Sequence, residues 1–341
     1  MTRKLKLLYF GGDDNFGLCP SYIRSARQLG HELQLFDFDK ELAQNVRFGK
    51  IGRMVANYID IHAWIHKTNR RFVIQAKNFQ PDAIFVFTNY HITTGALLFL
   101  RSILPNTKFV LVWPDSLANI RNHVLTSAPL YDLVATLSSN SVPFFERLGF
   151  PKAQWVPLAG DPRIHGADIS DSYDYDVSFV GGWRPERERA MELIAQNFPG
   201  KKMVIHGPDW KRFCKNKILL PFFSGKPLFG QEMATCFSRS RINVNVIDDT
   251  NYPAANMRFF EVPTAGGLEL VSACPEMENI FRHKEHLLYF KSESELVQQV
   301  EYILTNPADA LQIRKNAQAL IQSEHNYDLR LQSIISHLNM L

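Results

Sequence analysis

Residues 254–272 read Ala-Ala-Asn-Met-Arg-Phe-Phe-Glu-Val-Pro-Thr-Ala-Gly-Gly-Leu-Glu-Leu-Val-Ser, and an apolar run with Asn243 and Asn245 interleaved, 241–247, precedes them. The order is strand, loop, short helix, Gly-Gly turn and strand, which is one α/β unit. Asn256 is placed to cap the helix, so that free backbone N–H groups and the positive dipole end point out of the loop. Arg258 adds a full positive charge and a planar donor fork there, which suits a diphosphate. Glu261 lies three residues on, along the same helical face, and its carboxylate can accept two hydrogen bonds from a vicinal diol such as a ribose. Gly266 and Gly267 allow a tight return into the sheet. Pro263 deep inside a helix costs about 3 kcal/mol, so the helix is expected to be short or kinked.

Outward from this unit the same grammar repeats. Towards the N-terminus, a strand over 176–180 runs into Gly181-Gly182 and a charged helix over 185–196. Arg184 and Arg187 open that helix, where the dipole disfavours them unless an anion is bound. A strand over 202–206 ends at Gly207. Further back, a strand over 5–10 meets the Gly-rich turn Gly11-Gly12-Asp13-Asp14-Asn15-Phe16-Gly17, then a helix over 20–29 and a strand over 32–38. The glycines at 11, 12 and 17 do not form a GxGxxG fingerprint. Strands over 83–88 and 108–112 end in Asn89-Tyr90-His91 and Trp113-Pro114-Asp115. Polar residues at the carboxyl ends of such strands are where open α/β sheets place ligands, which makes Gly12, Asp13, His91 and Asp115 candidates. Strands over 133–137 and 154–157 flank a helix over 142–148. Residues 158–173, rich in Gly, Pro, Ser and Asp without periodicity, read as a linker. The expected architecture is α/β, with two Rossmann-like doubly wound domains facing across a cleft, over 1–160 and 174–322. Helices over 294–305 and 306–322 follow, and a C-terminal helix within 325–341 is expected to pack back on the first domain.

The 341 residues suit two domains, and 45% hydrophobic with 21% charged residues is ordinary for a globular protein. A net charge of +4 does not argue for nucleic acid. The cysteines at 19, 214, 236 and 274 show no CxxC spacing, which fits a reducing cytoplasm. The basic N-terminus lacks a long apolar run, and no stretch approaches a membrane span. Residues 41–80 are helical in pattern and basic, with Arg47, Lys50, Arg53, Lys67, Arg70, Arg71 and Lys77 against Glu41 and Asp60. They read as a solvated helix face or as a surface for an anionic acceptor or membrane headgroups. His62 and His66, at i and i+4 without an intervening glutamate of the HExxH kind, read as an ordinary helix face.

Four blocks then stand in order: Gly225-Lys-Pro-Leu-Phe-Gly-Gln-Glu-Met, Ser240-Arg-Ile-Asn-Val-Asn-Val, Asn256-Met-Arg-Phe-Phe-Glu-Val-Pro-Thr-Ala-Gly-Gly and Ser323-Glu-His-Asn-Tyr-Asp-Leu-Arg. Together they resemble the spore-maturation CgeB-like glycosyltransferases, over about residues 176–332. The resemblance implies a GT-B fold and transfer of a sugar from a nucleotide-diphosphate sugar to a hydroxyl of a glycan, lipid-linked glycan or protein, with no cofactor and no obligatory metal. It assigns the ribose to Glu261 and the diphosphate to Arg258, the amides near Asn256, and Arg187. It makes Gly181, Gly182 and Gly207 points of close donor approach. Glu261 with Gly266 matches the second glutamate of the Glu-x7-Glu pair of retaining GT-B families, whereas the first falls at Pro253. His91 stands where several such families place a histidine against the donor sugar.

The chemistry needs stabilisation of charge on the leaving diphosphate and a base for the acceptor hydroxyl. His91, Asp13, Asp115 and the leaving phosphate are all candidates for the base. Asp13-Asp14 and Asp248-Asp249 supply too few oxygens for a hard-cation site. Two further readings are an inactive GT-B scaffold subunit and a sugar-nucleotide 2-epimerase. The expected location is cytoplasmic, with peripheral contact at the inner face of the membrane through 41–80.

Overall fold

The computed structural model describes residues 3–13, 17–46 and 61–340. The chain divides into two compact units, one of Met1–Pro157 with Arg330–Leu341 and one of Leu158–Leu329.

In the first unit the strands are β1 (Lys6–Gly11), β2 (Glu32–Asp37), β3 (Ala83–Phe87), β4 (Lys108–Trp113), β5 (Leu133–Thr136) and β6 (Ala153–Trp155). They form one sheet in the order β2-β1-β3-β4-β5-β6, and every pairing is parallel. Every residue of β3 is buried, as expected of a strand covered on both faces. Phe10, Phe36 and Phe72 pack ring to ring beneath the helix His62–Phe79, with centroids 4.6 to 5.4 Å apart. Each such ring contributes roughly 1.5–3 kcal/mol of burial. Of the expected helix over 41–80, residues 47–60 lie outside the described residues, and the described parts are Phe38–Ala43 and His62–Phe79. Arg330–Leu341 completes this unit. Gln154 Nε2 donates to Ser333 Oγ at 2.8 Å, Lys152 Nζ to the His337 carbonyl at 2.9 Å, and Leu331, Ile334 and Ile335 are fully buried.

The second unit has β7 (Tyr175–Val180), β8 (Met203–His206), β9 (Ser240–Asn245), β10 (Glu269–Ser272) and β11 (Leu288–Phe290). Their order is β11-β10-β9-β7-β8, again all parallel. Strand β11 escapes the sequence reading, because three residues are too few to show a period. Val177, Met191, Ile194, Ile242, Leu270 and Val300 form its core. Residues 158–173, which read as a linker, are fastened into this unit. Gln318 Nε2 donates to the Ala167 carbonyl at 2.9 Å, and Arg314 Nη1 to that of Ser170 at 3.0 Å. Arg314 is 1% exposed and also donates to the carbonyls of Gly266 at 2.6 Å and Ser238 at 2.9 Å. The partners of the Ala167 and Ser170 carbonyls lie 151 and 144 residues away in sequence, so nothing local reveals the packing.

In each sheet the chain reverses its direction of winding once. In the first this happens between β1 and β3, and in the second between β7 and β9. The carboxyl ends at such a switch point diverge and leave a crevice for a ligand.

Candidate functional site

In the second unit, the switch point carries the loop after β7, Gly181-Gly182-Trp183-Arg184, and the segment after β9, Val246-Ile247-Asp248. Arg187, from the first turn of the helix Pro185–Asn197, ties the two together. Its Nη1 donates to the Gly182 carbonyl at 3.0 Å, Nε to the Val246 carbonyl at 3.3 Å, and Nη2 to Asp248 Oδ2 at 2.8 Å. Burial pulls Arg187 below its ordinary value, Arg184 and Arg258 add repulsion, and Asp248 and Glu186 oppose them. Burial pushes Asp248 up, but the Thr250 hydroxyl, Arg187, Arg184 and Asn251 outweigh it and hold the carboxyl below its usual range. Three guanidiniums thus act on one point at the end of the sheet.

The helix Arg258–Thr264 has seven residues, with Pro263 inside and Gly266 just beyond its end, as the sequence predicts. Its entry differs from the simple cap. Asn256 pairs amide to amide with Asn245 on β9, at 2.8 and 2.9 Å, and its Oδ1 also accepts from the Phe259 N–H at 3.2 Å. Arg258 does not stand clear with a free donor fork. Its Nε donates to the Val180 carbonyl at 3.0 Å and its Nη1 pairs with Glu261 Oε2, while 27% of the side chain stays exposed. Glu261 is only 4% exposed at its side chain, and His165 Nε2 lies 3.7 Å from its Oε1. The carboxylate keeps lone pairs for a diol, but a diol reaches them only where the Arg258 pair opens.

The glycines divide into two groups. Gly181, Gly182 and Gly207 lie at the carboxyl ends of β7 and β8. At Gly207, with φ of +145°, a Cβ would sit 1.9 Å from the Gly181 carbonyl oxygen, so its backbone is held against the neighbouring loop. Gly266 and Gly267 are buried inside the unit rather than open to a donor. A Cβ on the first would meet Ile169 at 2.8 Å, and one on the second would meet Asn243 at 2.8 Å. Their work is helix-to-strand packing.

In the first unit the candidates follow β1, β3 and β4, three neighbouring strands. Gly12 is closed over by Tyr90, whose hydroxyl oxygen would lie 2.2 Å from a Cβ there and donates to Asp39 at 3.2 Å. Asp13 is half exposed, 3.6 Å from Lys40 Nζ. The His91 ring stacks on His123, with centroids 4.1 Å apart and planes 12° from parallel. Asn69 orders the turn around it, donating to the His91 carbonyl and accepting from the Thr93 N–H, both at 2.9 Å. Asp115 accepts from the Ser116 N–H at 2.7 Å and, through both oxygens, from Asn119 at 2.9 Å. His123, His165 and Asn69 escape sequence reasoning, because each sits on a helix whose partner is remote in the chain. Among the described residues no group of three or more His, Cys, Asp or Glu could hold a metal ion.

Residues 184–336 match the family model described as glycosyl transferase-like. No curated protein matches the chain. Among solved structures, sucrose-phosphate synthase from Thermosynechococcus elongatus is similar, with 12% identity, a TM-score of 0.67 and 99% of each chain covered. HepE of Anabaena, solved in complex with UDP-glucose, shares 16% identity at a TM-score of 0.63, over 99% of this chain and 100% of its own. A UDP-forming α,α-trehalose-phosphate synthase from Burkholderia xenovorans shares 14% at 0.64, over 99% of both chains. The chain has the GT-B fold, and its residues 184–336 are glycosyl transferase-like. The family match spans the helix that carries Arg187, the segment after β9 and the helix that carries Arg258 and Glu261, and begins at the end of the loop after β7.

Proposed function

We propose that this protein is a glycosyltransferase that binds the diphosphate of a nucleotide sugar at the carboxyl ends of β7 and β9 and passes the sugar to an acceptor hydroxyl without an obligatory metal. The observation that carries the reading is the convergence of Arg184, Arg187 and Arg258 on the switch point. Arg187 is already fixed where negative charge develops on a leaving diphosphate and needs no reorganisation during the reaction. Glu261 takes the ribose hydroxyls, with the Arg258–Glu261 pair opening as the nucleotide enters. A uridine nucleotide is the first donor to test, since HepE is solved with UDP-glucose. The blocks around Asn256 and Ser323 support placement in the CgeB-like subfamily.

The acceptor is a hydroxyl-bearing glycan, lipid-linked glycan or protein, received by the first unit. His91, Asp13 and Asp115 are the side chains there from which a base is drawn. The helices His62–Phe79 and Thr94–Ile103 contain no acidic residue, carry Lys67, Arg70 and Lys77, and expose Ile74, Leu98 and Phe99. A groove of about 380 Å³ runs between them, lined by His66, Arg70 and Phe99. This favours a peripheral contact with anionic headgroups at the inner face of the membrane. No helix of the described residues is long and apolar enough to cross one.

Thermal shift against UDP, GDP, TDP, CDP and ADP, with and without EDTA, tests the reading. A ligand at one hundred times its dissociation constant adds about 2.7 kcal/mol. One nucleotide giving a chelator-insensitive rise in Tm is the expected result. No rise with any of them overturns the donor site.

A further inference from the structure

Glu269, on β10, has no place in the site described above, yet it lies directly behind it. It is 1% exposed, and among the described residues no cation forms an ion pair with it. Its Oε1 accepts from Asn245 Nδ2 at 2.8 Å, and its Oε2 is buried without a hydrogen-bond partner. The same Asn245 amide group donates to Asn256, which holds the Phe259 N–H at the start of the helix bearing Arg258 and Glu261. A continuous chain of hydrogen bonds therefore runs from Glu269 through Asn245 and Asn256 to that helix.

We propose that Glu269 is a positioning residue for the donor-binding helix, acting as a neutral carboxylic acid through the Asn245–Asn256 pair. The inference rests on the donor site proposed above. Of the groups facing Glu269, the Asn245 amide favours a negative charge, and burial and Glu261 outweigh it. Asn243 and Asn245 stand beside it on β9, Glu261 acts on it from the helix, and Cys274 and Tyr289 lie near it on the side of β11. Arg258 and His165 face Glu261 instead. Burial above all, with Glu261 adding and Asn245 opposing, pushes the Glu269 carboxyl up to about 8. Above that pH a buried anion without a cation repels Glu261 and draws the Asn245 amide towards itself and away from Asn256, and the helix entry loosens.

The test uses full-length wild type, Glu269→Gln and Glu269→Leu. The first measurement is UDP affinity from pH 6.5 to 9.5. The wild type is expected to bind about tenfold more weakly at the alkaline end, the equivalent of one hydrogen bond to a charged group. Glu269→Gln keeps its affinity throughout, and Glu269→Leu is weak at every pH. A Glu269→Gln profile that falls like the wild type, or normal affinity in Glu269→Leu, overturns the proposal. The second measurement needs no nucleotide. Difference infrared spectra of wild type against Glu269→Gln are expected to show a protonated-carboxyl C=O band at pH 7 that disappears on raising the pH through 8, and its absence at pH 7 also overturns the proposal. Failure of UDP and the other nucleotides to bind the wild type counts against the donor site, while the infrared band still decides the state of Glu269.

Discussion

Replacing Arg187 with methionine keeps the aliphatic stem and removes the guanidinium. Three contacts go with it: the carbonyls of Gly182 and Val246 lose a donor, and Asp248 loses its cation. The side chains of Arg187 and Asp248 are 13% and 9% exposed, so water does not readily replace the partner. Breaking a buried ion pair from one side costs about 3–5 kcal/mol. Asp248 keeps hydrogen bonds from Thr250 and from the backbone and side chain of Asn251, which lowers the expected loss to about 2–4 kcal/mol. Asp248→Asn is expected to recover part of it, with a coupling of about 1–3 kcal/mol in the double-mutant cycle. Urea unfolding at pH 7 measures this. The carboxyl of Asp248 is held low in the folded protein. Its contribution is therefore present above the ordinary carboxylate value of about 3.9 and fades as pH falls through the folded one. The gap between wild type and Arg187→Met should narrow towards pH 3. A loss below about 1 kcal/mol, or additive single substitutions, refutes the view that this pair locks the two loops.

Arg258→Met and Glu261→Gln should each weaken nucleotide binding by about 1.5–3 kcal/mol per charged hydrogen bond lost, read by calorimetry with UDP. Arg314→Met leaves the buried carbonyls of Gly266 and Ser238 without a donor and should lower stability by about 3 kcal/mol or more, seen in the urea midpoint. The raised Glu269 carboxyl makes the folded protein hold a proton that the unfolded chain releases near 4.5. Stability should therefore fall as pH rises from there to about 8, by at most about 1.4 kcal/mol per pH unit, and Glu269→Gln should remove that slope. Gly207→Ala drives a methyl into the Gly181 carbonyl and should lower Tm by several degrees, about 1–3 kcal/mol of strain.

Much of the architecture is legible because parallel sheets buried on both faces write themselves as short apolar runs. Residues 83–87 and 108–113 stand out in this way, and the polar residues after them mark the carboxyl ends. The seven-residue helix Arg258–Thr264 is equally visible, since Pro263 and Gly266 punctuate it from within the chain. The strand order is a different matter. Pairing between β7 and β9 leaves no trace in either sequence, and it is this pairing that brings Val246 and Asp248 within reach of Arg187.

Residue types and their local spacing carry the site in outline. They name Arg184, Arg187, Arg258 and Glu261 as the charged groups, because cations near a Gly-Gly turn or a loop-to-helix entry are conspicuous in one dimension. They do not say how those groups are held. Arg258 and Glu261 read as ligands of a nucleotide, and folding couples them to each other and to Val180 and His165. Glu269 reads as one residue of a strand. Only burial beside Asn245, without a cation, makes it an acid that holds its proton, because the charge state of a side chain is set by its three-dimensional surroundings and not by its neighbours in the chain.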